Sequence, residues 1–131
     1  MSLLEAEAAI HITSEEMEIY RATARRRAEE HQQRMEARRE KGWEFARRAA
    51  ALLKEQFAAT RVVAFGSLVR GGLLHERSDI DLAEWGIDEK KYLRACSAIS
   101  SLGGEFEVDL VEAEFARPSI LAAIEREGVE L

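Results

Sequence analysis

The sequence predicts an α+β domain: a small mixed sheet of about three or four strands flanked by helices, preceded by a long charged helix. Three observations predict it. Residues 62–65 (VVAF) are a short, charge-free run of strand formers, the mark of a buried strand. Ile80 and Leu82 alternate with Asp79 and Asp81, and Val108 and Leu110 flank Asp109 in the same manner, the period of half-buried strands. Trp43, Ala46, Ala50, Leu53 and Phe57 recur at spacings of three and four, one apolar stripe for a helix packed on that sheet.

Taken in order, residues 1–12 are apolar without a period, so they either pack on a partner or fray. Thr13 with Glu16 three residues on predicts a capping-box helix start. From there to Glu40 the chain is helix-forming with few large apolar residues. Arg25, Arg26, Arg27, Arg34, Arg38 and Arg39 interleave with Glu29, Glu30, Glu36 and Glu40. Such a helix is polar all round and is either solvated or laid against another chain. Gly42 predicts a kink or stop, which places the boundary between an N-terminal segment, 1–42, and the main domain, 43–131. Asp88 predicts the cap of a helix running to about Leu102, stopped by Gly103-Gly104. Residues 105–111 read as the third strand. Pro118 suits the first turn of a last helix, which Gly128 closes.

A chain of 131 residues supports one such domain. Its net charge of −6 is uneven. Residues 1–57 carry 11 basic against 11 acidic side chains, and the remainder 8 against 14, so the deficit falls on the half that holds the strands. An acidic surface repels a long polyanion unless a metal or partner compensates, so stable duplex nucleic-acid binding is not expected. Lone Cys96 forbids an internal disulfide and suits a reducing cytoplasm. No run reaches membrane-spanning length, and the acidic N-terminus lacks the basic start of a secretion signal.

The chemistry gathers between Arg61 and Leu82. Two carboxylates on one strand face repel unless a cation lies between them, and oxygen-rich sites suit Mg²⁺ or Mn²⁺. Gly66 lets backbone approach a ligand closely, Ser67 offers a hydroxyl, and a short helix beginning at Leu68 would turn N–H groups toward an anion. A phosphate cradle beside a metal clamp is what phosphoryl or nucleotidyl transfer requires. Arg70 is either a phosphate contact or an exposed turn arginine. Ser78 either ends the loop or orients Asp79. Trp85 reads as core or rim packing in preference to a base-stacking surface.

The pattern Gly66-Ser67, a spacer, then Asp79-Ile80-Asp81 resembles the DNA polymerase β-type nucleotidyltransferase superfamily. Asp109 stands where that family has a third carboxylate. Small size, GSLVRG, SDIDL and REGVEL most resemble the MNT-type minimal nucleotidyltransferases, antitoxin partners of HEPN-domain toxins, over residues 43–131. The resemblance implies a nucleotidyltransferase-like fold in which Asp79, Asp81 and Asp109 are catalytic and hold Mg²⁺ (or Mn²⁺). It implies a nucleotide bound by Gly66, Ser67, Arg70 and Ser78, with ATP as substrate. The implied reaction moves AMP to a tyrosine of a HEPN toxin, in a cytoplasmic hetero-oligomer with that toxin. Two alternatives stay open: a binding module that blocks its partner sterically, and a nucleotidyltransferase acting on a small-molecule acceptor.

Overall fold

The computed structural model describes residues 11–71 and 79–131, with Asp79 described by its backbone only. The chain divides into two compact units, Met1–Arg34 and Met35–Leu131. In the first, helix α1 (Ser14–Phe57) begins. Its start is the predicted capping box: the Glu16 N–H donates to Thr13 Oγ1 at 3.1 Å, and the Thr13 N–H reaches Glu16 Oε2 at 3.4 Å. Up to Arg34 every helical side chain is exposed except Met17 and Thr23, which are half-buried.

The second unit holds the rest of α1, strand β1 (Arg61–Phe65), the short helix α2 (Ser67–Arg70), strand β2 (Asp79–Trp85), helix α3 (Tyr92–Ser100), strand β3 (Glu107–Glu112), helix α4 (Pro118–Glu127) and strand β4 (Val129–Glu130). The sheet order is β3-β2-β1-β4; β1 is antiparallel to β2 and β4, and β2 is parallel to β3. Alternation then sorts the core into two layers. Val62, Ala64, Ile80, Leu82 and Leu110 pack with Phe45, Ala46, Ala49, Leu53 of α1 and Ala95, Ile99 of α3. Val63, Phe65 and Ala83 pack on the other face with Ile120 and Ile124 of α4. Leu53, Leu68, Ile80 and Leu82 are fully buried, and burial of each such side chain contributes about 2 kcal/mol.

Two expectations are corrected. The first is the helix stop at Gly42: α1 runs through it to Phe57. A Cβ there would stand 3.1 Å from Leu68 Cδ1 and 3.7 Å from the Phe106 ring, so the missing side chain serves close packing and not a break. Arg38 and Arg39 are half-buried and tied to the main domain, not freely solvated. Arg38 bonds Glu105 at 2.9 Å with its guanidinium 4.8 Å from the Phe106 ring centre. Arg39 donates to the carbonyls of Leu68 and Val69, both at 3.2 Å.

At the far end of β2 the carboxyl group of Glu84 is buried, 3% exposed, and accepts the Ile87 N–H at 3.1 Å. Burial raises its pKa above 4.5 against that hydrogen bond, and neighbouring Glu112 and Glu114 add to the rise. Tyr92 donates its hydroxyl to the Leu110 carbonyl at 2.6 Å, tying the edge strand β3 to α3. Burial, followed by a hydrogen bond with Cys96, pushes that phenol up to about 12.

Candidate active site

The site begins with one row across the sheet. Phe65 of β1 pairs with Asp81 of β2, and Asp81 pairs in parallel register with Asp109 of β3. Residues level across neighbouring strands share a face, so both carboxylates stand on the face covered further along by α4. The next row, Val63, Ala83 and Val111, is already apolar core. Asp81 is half-buried and Asp109 exposed, at an opening where this core gives way to solvent. Neighbouring strands lie about 4.8 Å apart, so the two acids repel across a short gap that a divalent cation would bridge. Asp79 opens β2 level with Glu107, but its side chain lies outside the described residues. Ser78 lies outside them altogether.

Gly66 follows Phe65 directly and turns the chain toward this pair. Its φ of +78° and ψ of −150° belong to a region that side-chained residues rarely adopt. A Cβ would overlap Asp81 Oδ2 and approach Asp81 Cγ to 3.1 Å. The carboxylate is therefore seated against the bare backbone of the turn, and that contact couples the two halves of the predicted site. Ser67 starts α2, whose Leu68 is buried beneath it, while Arg39 caps the far end through the Leu68 and Val69 carbonyls.

The structure thus brings Gly66, Ser67, Asp81 and Asp109 together on one rim. Arg70 is also there, but its Nη1 pairs with Glu127, at 3.3 Å to Oε1 and 3.5 Å to Oε2. Glu127 Oε1 also accepts the Gly66 N–H at 3.2 Å. Neither Glu127 nor Arg39 was singled out from the sequence. The signal for Glu127 was present: Ile120, Ile124 and Glu127 lie at i, i+4 and i+7, one stripe of α4 that ends in an acid over the turn. Arg39 had no such signal, because its partners lie about thirty residues away in the chain.

Among the described residues no three His, Cys, Asp or Glu side chains gather into a metal-holding group. Asp81 and Asp109 supply an oxygen-only pair whose chemistry fits a hard divalent ion, with the β2 opening at Asp79 beside them.

A four-stranded mixed sheet with a glycine-serine turn aimed at paired strand carboxylates is the architecture of a nucleotidyltransferase-like domain. Residues 48–131 match the family described as polymerase beta, nucleotidyltransferase, and the chain belongs to that family. Among solved structures it is similar to one described as a putative minimal nucleotidyltransferase, at 28% identity and a TM-score of 0.52, covering 76% of this chain and 94% of the other. It is also similar in fold to one described as a toxin-antitoxin with AMP-PNP, at 23% identity and a TM-score of 0.52, covering 62% of this chain and 67% of the other. No curated protein matches it. Among the described residues no helix is long and apolar enough to cross a membrane.

Proposed function

We propose that the protein is a metal-dependent nucleotidyltransferase antitoxin that moves AMP from ATP to a tyrosine hydroxyl of a cognate HEPN toxin in the cytoplasm, forming a hetero-oligomer with it. The observation that carries the reading is the Asp81–Asp109 register pair with Asp81 seated against Gly66. Family membership supports the reaction class. The solved relative described as a toxin-antitoxin with AMP-PNP supports the partner class and the adenine nucleotide.

Asp79, Asp81 and Asp109 would hold Mg²⁺ or Mn²⁺, and Gly66, Ser67, Arg70 and Ser78 the triphosphate. The metal, when bound, neutralises phosphate charge and lowers the pKa of the acceptor hydroxyl. The Gly66-Ser67 turn holds the β,γ-phosphates so that the bond from the α-phosphorus to its bridging oxygen lies opposite the incoming hydroxyl. The acceptor oxygen forms a bond to the α-phosphorus, pyrophosphate departs with the bridging oxygen, and Asp109 takes the hydroxyl proton. Residues 1–42 form the N-terminal segment and 43–131 the catalytic domain in this reading.

A second reading, steric blockade of the partner, is favoured by one observation. Ile12, Ile19 and Tyr20 are 52%, 68% and 72% exposed, an apolar set before and within the first turns of α1. Incubation with the product of the neighbouring gene, Mg²⁺ and ATP labelled at either the α- or γ-phosphate tests both. The enzyme reading expects α-label alone on the partner, lost in Asp81→Asn and Asp109→Asn together with neutralisation. Neutralisation that survives both substitutions would overturn it in favour of blockade.

A further inference from the structure

Glu127 sits where a carboxylate is electrostatically unwelcome. It occupies the last turn of α4, the negative end of the helix, and its side chain is only 11% exposed. An acid kept there needs compensation, and the contacts show its source. Oε1 accepts the Gly66 backbone N–H at 3.2 Å, and the carboxylate pairs with Arg70 Nη1 at 3.3 Å. Both partners flank Ser67 in the turn that faces Asp81. The helix is pressed close to the sheet at this end, since a Cβ on Gly128 would overlap the Ile124 carbonyl and stand 2.7 Å from Val63 Cγ1. The Glu127 position is thereby fixed to β1, the strand that delivers the turn.

We propose that Glu127 is the positioning residue of the nucleotide site, one carboxylate that locks the Gly66 peptide and the Arg70 guanidinium into the arrangement that receives a triphosphate. This rests on the nucleotidyltransferase reading above. Arg70 is 58% exposed and belongs to a flexible side chain type, so without a tether it would sample many rotamers, and ordering it would weaken nucleotide binding. A guanidinium has five donors, so the edge given to Glu127 leaves others for phosphate. The fixed Gly66 peptide likewise holds the unusual φ that makes room for Asp81.

The test is equilibrium titration of the full chain with Mg²⁺ and ATP, with melting temperature measured on each variant. Glu127→Ala is expected to raise the ATP Kd about tenfold, the loss of a charge-assisted contact. Glu127→Gln keeps an acceptor for the Gly66 N–H and loses the charge, so it should recover part of that affinity. Arg70→Ala combined with Glu127→Ala should bind little worse than Arg70→Ala, because the two act as a unit. The Gly66 amide resonance should move in Glu127→Ala and stay near its wild-type position in Glu127→Gln. If Glu127→Ala unfolds, Glu127→Gln and the double-variant comparison built on Gln carry the test. Unchanged affinity in variants that fold would overturn the proposal, and so would tighter binding, which would mark Glu127 as a plug in the phosphate site. A wild-type chain that fails to bind Mg²⁺ and ATP would instead overturn the nucleotidyltransferase reading beneath it.

Discussion

Replacing Gly66 by Ala tests the coupling between the turn and Asp81, because the structure separates two costs of that change. The first is backbone strain: the φ of +78° with ψ near −150° is close to a glycine-only region, which costs a side-chained residue about 1–3 kcal/mol. The second is steric. The new methyl would overlap Asp81 Oδ2, and with Asp81 Cγ at 3.1 Å the carboxylate has to move. Gly103 provides the control, since its φ is +72° but nothing lies within 4 Å of a Cβ built there. Gly103→Ala should therefore lose about 1 kcal/mol of stability, near 4 °C in melting temperature for a chain of this length, with catalysis unchanged. Gly66→Ala should lose about 2–3 kcal/mol, near 10 °C. It should also lose transfer activity about 100-fold, the cost of misplacing a reacting group by about 1 Å. Thermal denaturation by circular dichroism and α-label transfer measured well below the melting points give both numbers. If Gly66→Ala loses no more activity than Gly103→Ala, the seat of Asp81 on Gly66 is irrelevant to the chemistry, and the reasoning fails.

The other predictions reach beyond that contact. Asp109→Asn, which keeps size and removes charge, should lower transfer by at least about 100-fold while leaving the melting temperature unchanged or raised, since it relieves repulsion with Asp81; a calorimetric scan beside the transfer assay checks both. Arg39→Ala should destabilise the chain by about 2 kcal/mol, because it strips charged donors from the Leu68 and Val69 carbonyls; a urea melt with unchanged slope would show it. Glu84→Gln keeps the oxygen that accepts the Ile87 N–H and removes a buried charge. The raised pKa means that the folded state holds its proton more tightly than the unfolded state, so wild-type stability falls as pH climbs from 4.5 through the raised value. Glu84→Gln should melt above wild type at pH 8 and lose that advantage near pH 4; parallel pH-dependent melts read the crossing.

How much of this was legible in the sequence follows from which residues carry local signals. The strands were readable because Asp81 and Asp109 each interrupt apolar residues at period two, a pattern that fixes which face the acids take. The Asp81–Asp109 register itself was not readable, since parallel pairing depends on the α3 crossover between β2 and β3. Gly42 misled for a definable reason: its helix cost of about 1 kcal/mol is local, whereas the close approach of Leu68 and Phe106 that offsets it is tertiary. Arg38 and Arg39 resembled solvated helix charges because their partners, Glu105 and α2, lie far along the chain. β4 was not legible because two residues carry no period, and its antiparallel pairing of Val129 with Ala64 and Glu130 with Val63 is tertiary.

The most direct measurement of the central claim is paramagnetic broadening of backbone amide resonances by Mn²⁺ added with ATP. β2 and β3 carry acids at both ends, Asp81 with Asp109 at one and Glu84 with Glu112 at the other, so the ion reports which end it prefers. The account predicts that Gly66, Ser67, Asp81 and Asp109 broaden first and that Asp109→Asn abolishes the effect. Broadening centred on Glu84, Glu112 and Glu114, with the Gly66-Ser67 turn untouched, would contradict it.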